Sequence, residues 1–413
     1  MKVWIVNPFD NLPQEGRRAQ RYYLMARAFA AAGHEVVLWT SDFSHSGKCR
    51  RAAPDGSPLP ARFTADGFEV RLIPTLPYSR NVSLRRLLSH FLFAVRWWQA
   101  GRDDPIAPVR LIISSSPPLT QCAAAMRLGR RLGAKVIVDI QDAWPETFAR
   151  ILPKWLLAPL KFLARRNYRR ADAITAVADR YLELARSYGA TCPMRRFYLG
   201  IGVEYCQCEN VANCQIQCCR STSRTSREPK TGERFSDCVN LVYAGSLGRT
   251  YDLAPVVSAV AAHPGWTLHI AGSGEQEAAM RRAVRTVFHG YLGEKELEEL
   301  LAKCDIGVVP MSSDSFVGVP NKFADYARAG LAIASSLGGE SAALLEHYGA
   351  GATYREGDAD SFAAAVSSLL ARLPSAKAGA LELCRREFDA ERIYRDYVAS
   401  QLSALDRTAV DDI

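Results

Sequence analysis

The stretch Ile306–Gly330, IGVVPMSSDSFVGVPNKFADYARAG, predicts a strand, a polar loop and a helix in succession. Pro320 stands where the predicted helix begins, and Asn321 and Lys322 follow on its first turn. A helix N-terminus offers unpaired N–H groups and the positive end of the helix dipole, so Lys322 beside it predicts an anion site. Asp325, one turn further on, is placed to accept hydrogen bonds from sugar hydroxyls. A capped amphipathic helix with Lys322 and Asp325 as a solvated pair is the alternative.

The same order of strand, loop and helix opens the chain. Lys2–Val6 predicts a strand, Ala19–Ala32 a helix and Glu35–Trp39 a second strand. Such a βαβ unit indicates a parallel sheet, and open parallel sheets bind ligands at their carboxyl edge. Gly16 lies in the loop at that edge, where it either allows a ligand to approach the backbone or forms a simple turn.

A second series of alternating strands and helices begins at Val239. Glycines follow directly after three of its predicted strands, at Gly245, Gly272 and Gly290. Repeated glycines at the carboxyl edge of a sheet are expected where a phosphorylated ligand approaches the backbone. We therefore predict two Rossmann-like α/β halves, of which the second binds a phosphorylated molecule.

Composition limits the class of protein. The chain has 413 residues, of which 48% are hydrophobic and 23% charged, so we expect a folded protein of two or three domains. Its net charge of +9 suits an anionic partner such as a phosphorylated small molecule, an anionic membrane or a nucleic acid. The sequence contains no run of 18 apolar residues and no signal-peptide pattern at its N-terminus, which predicts a cytoplasmic protein with reduced cysteines.

Two carboxylates and a tryptophan follow the predicted strand Lys135–Ile140 in the run QDAWPE. This run places Gln141, Asp142, Trp144 and Glu146 at the expected mouth of the sheet. Carboxylates there can bind sugar hydroxyls or act as bases, whereas a helix cap is the alternative for Asp142.

Two helical segments, Leu84–Ala100 and Pro153–Arg170, combine tryptophan and leucine with arginine and lysine. Such helices can lie on an anionic membrane surface, and a core-facing stripe with a solvated basic end is the alternative. We expect no nucleic-acid partner, because the basic residues have no interleaved aromatic platform.

The segment Tyr205–Asp237 is polar, lacks periodicity and is rich in cysteine. Its cysteine spacing fits no common zinc ribbon, so we predict a disordered linker between two domains and no metal site, with zinc binding as the alternative.

Together these segments resemble glycosyltransferase family 4, whose members have the GT-B fold of two Rossmann-like domains facing across a cleft. The resemblance covers nearly the whole chain except Tyr205–Asp237. It implies an N-terminal acceptor domain at residues 1–203, to which a helix near 388–405 returns, a linker at 204–238 and a donor domain at 239–387. The motifs that carry it are GHEV at Gly33–Val36, SSPP at Ser115–Pro118, DAWPE at Asp142–Glu146, YAGSLG at Tyr243–Gly248, FHGYL at Phe288–Leu292 and PNKFADY at Pro320–Tyr326.

The resemblance implies a retaining enzyme of the hexosyltransferase type, without metal or cofactor, whose co-substrate is a nucleotide-sugar donor. UDP is the expected nucleotide and an N-acetylated hexosamine a candidate sugar. The expected acceptor is a lipid-linked glycan or a polysaccharide in bacterial O-antigen, capsule or exopolysaccharide assembly. The expected location is the cytoplasmic face of the plasma membrane, with peripheral attachment through residues 84–100 and 153–170. A non-catalytic scaffold subunit and a sugar epimerase are the alternatives.

Residue roles follow from the matched motifs. Lys322 would neutralise phosphate, and Asp142 and Glu146 would complete the catalytic set. Gly16, Gln141, Asp142 and Trp144 would contact the acceptor. The donor set would comprise Gly245, Ser246, Arg249, Gly272, Ser273, Gly290, Tyr291, Leu292, Asn321, Lys322 and Asp325.

Five positions differ from the family pattern. Val317 stands where the family has the first Glu of its E-x7-E motif, and Asp325 replaces the second. Ser246 replaces an Asn, Tyr251 a Lys or Gln, and Gln141 a His. These departures leave the donor sugar open, and the missing Glu motivates the non-catalytic alternative.

Overall fold

The computed structural model describes residues 1–80, 83–104, 108–149, 153–202, 239–248, 250–312 and 315–410. The cysteine-rich segment, with its predicted disorder and its alternative zinc site, lies outside these residues. Contacts divide the chain into two units. The first comprises Met1–Gly200, Phe316–Gly318 and Ala390–Ile413, and the second comprises Ile201–Ser315 and Val319–Asp389.

The first unit contains an eight-stranded sheet in the order β10-β9-β8-β7-β1-β2-β6-β5. All neighbouring strands run parallel except β5, which pairs antiparallel with β6, and β3 and β4 form a separate hairpin. The strands are β1 Lys2–Val6, β2 Glu35–Ser41, β3 Phe43–Ser44, β4 Cys49–Arg50, β5 Arg62–Ala65, β6 Phe68–Ile73, β7 Val109–Ser116, β8 Lys135–Ile140, β9 Ala173–Ala176 and β10 Met194–Arg196.

Helices cover both faces of this sheet, as the buried apolar runs of its central strands require. Trp4 of β1 and Trp39 of β2 are buried on one face with their rings 5.3 Å apart, and Trp97 packs into the same core. The helices are α1 Arg21–Ala31, α2 Leu84–Arg102, α3 Leu119–Leu132, α4 Lys154–Tyr168 and α5 Asp179–Ser187.

A buried ion pair joins α1 to the centre of the first sheet. Nε and Nη2 of Arg21 each donate a hydrogen bond of 2.8 Å to Asp139 on β8. The hydroxyls of Tyr22 and Thr175 donate to the same carboxylate, at 2.8 and 2.6 Å. Burial alone would raise the pKa of Asp139, but Arg21 and these hydrogen bonds lower it below its usual value. The charges of Arg21 and Asp139 are therefore compensated by each other and by hydrogen bonds, so the pair has a structural role.

Replacing Asp139 by asparagine is expected to lower the free energy of unfolding of the first unit by about 3–5 kcal/mol, because it leaves Arg21 charged and buried. Denaturant unfolding followed by tryptophan fluorescence measures this loss. The exposed pair of Glu277 and Arg281 provides the control, since Glu277→Gln should cost at most about 0.5 kcal/mol. Equal losses in the two variants would contradict the structural role of the Asp139 pair.

The second unit contains a six-stranded parallel sheet in the order β13-β12-β11-β14-β15-β16. Its strands are β11 Val239–Ala244, β12 Trp266–Ala271, β13 Thr286–Gly290, β14 Ile306–Val309, β15 Ala332–Ser335 and β16 Gly351–Thr353. Its helices are α6 Ala254–Ala262, α7 Glu277–Met280, α8 Glu294–Leu301, α9 Asn321–Arg328, α10 Glu340–His347, α11 Ala359–Ala371 and α12 Leu373–Leu383.

The last helix, α13 Ala390–Val410, follows a π-helical turn at Cys384–Phe388 and belongs to the first unit. It packs on α1, where Tyr397 lies 6.4 Å from the ring of Phe29 and 4.8 Å from that of Phe197. The hydroxyl of Tyr394 accepts a hydrogen bond from the backbone N–H of Gly200 at 3.3 Å. The first unit is thus built from both ends of the chain.

Within the described part of the chain, none of the helices combines the length and apolar character needed to cross a membrane.

Candidate functional site

The carboxyl edge of the second sheet is lined by glycine backbone. Gly245 and Gly272 have φ of +145° and +149°, values that side chains rarely adopt. A Cβ on Gly272 would lie 1.8 Å from the carbonyl oxygen of Gly245, and a Cβ on Gly245 would lie 2.1 Å from Nζ of Lys322. The N–H of Gly272 also donates to the carbonyl of Gly290 at 2.6 Å. The three predicted glycines therefore meet at one edge, where a side chain on Gly245 or Gly272 would clash with its neighbours.

Helix α9 brings Lys322 to this edge. Pro320 is its N-cap, rather than a residue of its first turn as the sequence suggested, and helical residues begin at Asn321. The N–H of Phe323 donates to the carbonyl of Pro320 at 3.0 Å, and no side chain of the N-cap accepts from the helix, which leaves the N–H groups of Asn321 and Lys322 available to an anion. The ring of Tyr326 fixes α9 against the sheet, because its hydroxyl accepts a hydrogen bond from the N–H of Ala244 at 2.9 Å.

Two tyrosine rings surround the ammonium group of Lys322. Its Nζ lies 4.9 Å from the ring centroid of Tyr243 and 4.5 Å from that of Tyr251, both within cation–π distance. Burial lowers the pKa of Lys322 to about 8, against an opposing effect of Asp325. The ammonium is thus partly desolvated and only partly compensated, so a bound phosphate would stabilise its charged form.

The loop after β11 is held by groups that the sequence did not single out. The hydroxyl of Tyr243 donates to the carbonyl of Ser246 at 2.5 Å. The side-chain amide of Gln276 donates to the carbonyls of Gly248 and Tyr251 at 2.8 Å each. Neither residue has a sequence signal for this role, because the partners are backbone carbonyls brought close by folding.

The remaining predicted donor residues surround this edge. Ser246, Ser273, Asn321 and Tyr291 are exposed, the last at 79%. Asp325 and Leu292 are partly buried. Arg249, which the resemblance places in the donor set, lies outside the described residues.

At the carboxyl edge of the first sheet, Asp142 follows β8. Its Oδ1 accepts hydrogen bonds from the N–H of Ala143 at 2.8 Å and from the hydroxyl of Thr147 at 3.0 Å. Burial raises the pKa of this carboxyl group, against the hydrogen bonds that lower it. Gln141, beside it, donates its backbone N–H to Ser116 at 2.9 Å. These bonds tie Asp142 to its own loop, but the N-cap of the following helical turn is Pro145, so the capping alternative for Asp142 is wrong.

Glu146 has partners different from those of Asp142. Its Oε1 accepts a hydrogen bond of 2.5 Å from Tyr188 and lies 3.5 Å from Nζ of Lys161. Its Oε2 is buried and has no hydrogen-bond partner among the described residues. The two acids predicted as a pair thus belong to different networks, and Glu146 links the loop to α4 and to the end of α5.

The other predicted acceptor residues occupy structural positions. Trp144 is buried, with only 4% of its surface exposed, and its ring lies 4.6 Å from that of Phe148. Gly16 ends the short helical turn Pro13–Glu15 with a φ of +67°, and a Cβ there would lie 3.1 Å from Pro54. The turn alternative therefore accounts for Gly16.

A cluster of aromatic and basic side chains that the sequence did not predict lies at this same edge. We call it the Arg86 cluster; its members are His45, Lys48, Tyr78, Arg86 and His90. They come from the β3–β4 hairpin, the loop after β6 and the first turns of α2. Among the residues that the structure describes, no group of three or more His, Cys, Asp or Glu could hold a metal ion.

Comparisons with known proteins agree with this arrangement. Residues 19–197 match the family model of the glycosyl transferase 4-like domain, and residues 239–372 match that of glycosyl transferases group 1. The chain is a glycosyltransferase. A comparison with curated protein sequences finds no match.

The glycosyltransferase is similar over its full length to several solved structures. Sucrose-phosphate synthase from Thermosynechococcus elongatus is 14% identical, with a TM-score of 0.71 and coverage of 100% of both chains. Anabaena HepE, solved with UDP and glucose, is 12% identical, with a TM-score of 0.63 and coverage of 98% of this chain and 100% of that one. WaaG, involved in lipopolysaccharide biosynthesis, is 14% identical, with a TM-score of 0.56 and coverage of 100% and 99%. These likenesses confirm the predicted α/β fold of two Rossmann-like domains of GT-B type.

Proposed function

We propose that this glycosyltransferase moves a sugar, with retention of configuration, from a UDP-sugar to a lipid-linked or polysaccharide acceptor in bacterial cell-surface polysaccharide assembly. The proposal of a UDP-sugar donor rests on one observation. The ammonium of Lys322 is partly desolvated and lies beside the glycine-lined edge and the start of α9. The complexes of Anabaena HepE with UDP and with UDP-glucose support a nucleotide-sugar donor on this fold. An N-acetylated hexosamine stays the candidate sugar.

In the proposed reaction the bond between the anomeric carbon and the diphosphate breaks as an acceptor hydroxyl attacks from the same face. Lys322 and the N–H groups at the start of α9 stabilise the charge that develops on the leaving diphosphate. A phosphate oxygen of the leaving group takes the proton of the acceptor hydroxyl. Asp142 positions that hydroxyl through its carboxylate, whereas Glu146 supports the loop through Tyr188.

The affinity for UDP is expected to depend on pH because Lys322 has a pKa of about 8. The charged form binds the diphosphate, so binding should be constant below that pH and weaken by up to about tenfold per pH unit above it. Calorimetry between pH 6.5 and 9.5 measures this change. Lys322→Arg is the matched control, since a guanidinium stays charged throughout and should give a flat profile. A flat profile for the unaltered protein would contradict the assignment.

Two helices of the first unit support attachment to a membrane surface. Leu84, Leu88 and Phe91 follow one another at helical spacing on α2 and are 85%, 49% and 53% exposed. On α4, Trp155 and Phe162 are 72% and 66% exposed, two turns apart. α3 contacts both helices, so α2 and α4 belong to the same helical layer of the unit. Exposed apolar stripes on basic helices favour an anionic lipid surface, where a lipid-linked acceptor is met.

The double substitution Phe91→Glu with Trp155→Glu is expected to reduce binding to phosphatidylglycerol vesicles at least about tenfold, because it adds charge and removes buried apolar area at the lipid interface. Co-sedimentation measures binding. Val284→Glu with Val287→Glu, at exposed apolar positions of the second unit, is the control and should change binding little. Equal losses in both double variants would contradict a specific membrane face.

Incubation of the protein with bacterial membranes and a panel of labelled UDP- and GDP-sugars tests the whole proposal. Transfer of label from a UDP-sugar into lipid-extractable or polymeric material is the expected result. Donor binding without transfer to any acceptor would favour the non-catalytic scaffold, for which Val317 in place of the family Glu is the motivation. Conversion of the donor in the absence of acceptor would favour an epimerase.

A further inference from the structure

We propose that Tyr251 is a positioning residue of the donor site, whose ring holds the ammonium of Lys322 in place for the diphosphate. The inference rests on the proposed function, because it assigns a task to a neighbour of the group that we propose to bind the diphosphate. It is carried by the arrangement of two tyrosine rings around the ammonium and by the backbone bonds that fix the loop of Tyr251.

The ammonium of Lys322 lies in a corner formed by two aromatic rings. The ring centroids of Tyr243 and Tyr251 lie 5.5 Å apart, and the ring planes meet at 67°. Nζ of Lys322 lies 4.9 Å from the centroid of Tyr243 and 4.5 Å from that of Tyr251, so Tyr251 is the nearer ring. Gly245 closes a third side, since a Cβ there would lie 2.1 Å from Nζ. The corner therefore confines the ammonium to the glycine-lined edge of the sheet.

The two tyrosines differ in their place in the fold. Tyr243 belongs to β11, is fully buried and donates its hydroxyl to the carbonyl of Ser246 at 2.5 Å. Tyr251 lies in the loop after β11, is partly exposed and packs against the core of the second unit. A change at Tyr251 is therefore expected to leave the sheet intact and to remove one wall of the corner.

The backbone of Tyr251 is fixed from two sides. Its carbonyl accepts a hydrogen bond from Nε2 of Gln276 at 2.8 Å. Tyr251 also pairs with Met311, just after β14, in an isolated antiparallel bridge. The residues on either side of it bond to the same segment, at 2.8 Å from the N–H of Asp252 to the carbonyl of Pro310 and at 3.0 Å from the N–H of Ser312 to the carbonyl of Thr250. The backbone therefore sets the position of the ring, which can act as a fixed support for a flexible side chain.

An aromatic support suits an ammonium that binds phosphate. The faces of the rings attract the cation but carry no net charge, so its charge stays available to the diphosphate. The described contacts of Nζ are the two rings and Gly245, and Asp325 on the same helix is a charge that acts on it. A lysine side chain has many rotamers, and their loss on binding costs free energy. Tyr251 reduces this cost, because it holds the ammonium in place before the donor arrives.

Substitutions of Tyr251 in the full-length protein test the inference through the affinity for UDP, measured by calorimetry. Tyr251→Leu is expected to weaken UDP binding about three- to tenfold, the cost of ordering one long side chain. Tyr251→Phe keeps the aromatic face and should bind UDP within about twofold of the unaltered protein. A phenylalanine with fluorine atoms on its ring has the same shape but a face that attracts cations weakly, so at this position it should bind UDP nearly as weakly as the leucine variant.

A double-mutant cycle with Lys322→Met separates positioning of the ammonium from support of the loop. In the Lys322→Met background, Tyr251→Leu should change the affinity for UDP by less than about twofold, because no ammonium remains to be held. Ligand-observed nuclear magnetic resonance measures the weak affinities of these variants. Equal losses in the two backgrounds would overturn the inference. A Tyr251→Phe variant as weak as Tyr251→Leu, or a fluorinated ring that binds UDP as well as phenylalanine does, would overturn it too.

Tyr354→Leu is the matched control, since Tyr354 is a buried tyrosine of the same unit whose ring lies 5.0 Å from that of Phe362. It loses comparable packing without touching Lys322 and should retain the UDP affinity of the unaltered protein. Absence of UDP binding by the unaltered protein would remove the proposed donor site and this inference together. Normal UDP binding with equal losses in the two backgrounds of the cycle would remove only the positioning role of Tyr251.

Discussion

Lys322→Met is expected to lower kcat/KM for the nucleotide-sugar by about two to three orders of magnitude, the usual effect of removing one preorganised group that stabilises developing charge. Methionine keeps much of the length and apolar character of the side chain, so Tyr243 and Tyr251 retain a packing partner. The loss should therefore report the missing charge at the diphosphate rather than a collapsed loop. Steady-state kinetics with the active UDP-sugar, together with calorimetry of UDP, measure it.

Lys303→Met is the matched control for this experiment, because Lys303 is an exposed lysine of the same unit. It should retain the kinetics of the unaltered protein. Lys322→Arg should recover part of the lost activity, although its larger planar group fits imperfectly between the two rings. Unchanged kcat/KM in Lys322→Met would remove this residue, and with it the proposed donor site, from the mechanism.

Gly272→Ala is expected to destabilise the second unit by about 3 kcal/mol, through a backbone conformation that alanine rarely adopts and a clash with a carbonyl. The added Cβ would lie 1.8 Å from the oxygen of Gly245, so the loops after β11 and β12 must separate. Because Gly245 also borders Lys322, UDP binding should be lost in the same variant. Hydrogen exchange of β11 and β12, followed by mass spectrometry, measures the local loss of stability.

Gly248→Ala, in the neighbouring loop after β11, provides the control. A Cβ on Gly248 has no atom within 4 Å, and its backbone lies outside the positive-φ region. The free energy of unfolding of the Gly248→Ala variant should change by no more than about 0.5 kcal/mol. Normal exchange and normal UDP affinity in Gly272→Ala would show that the edge tolerates a wider spacing than the structure indicates.

The sequence predicted those parts of the fold that depend on local pattern. Short β-branched runs ending in glycine identified β11, β12 and β13, and Pro320 located the start of α9 to within one residue. These signals are local because glycine and proline restrict the backbone at their own positions. The placement of Lys322 beside Gly245 followed from the rule that parallel strands share one carboxyl edge.

Contacts between distant segments could not be predicted in this way. Tyr251 was identified only as a departure from a family pattern, although it forms one wall around Lys322. Glu146 was grouped with Asp142 because both follow the predicted strand Lys135–Ile140, yet in the structure it accepts a hydrogen bond from Tyr188. The five members of the Arg86 cluster span 46 residues of sequence and carry no shared periodicity. Such sites depend on side-chain packing between elements, which spacing along one chain does not encode.

The return of α13 to α1 has a consequence for how this chain is synthesised. During translation the N-terminal strands leave the ribosome first. The tyrosines that pack on α1 and bind the loop at Gly200 follow 194 residues after Gly200 and more than 360 residues after α1. Until then, α1 of the nascent chain has an apolar face without its partner helix. The whole second unit is translated before that partner is made. Chaperone dependence of the newly made polypeptide is expected to end only once Tyr394 and Tyr397 have emerged.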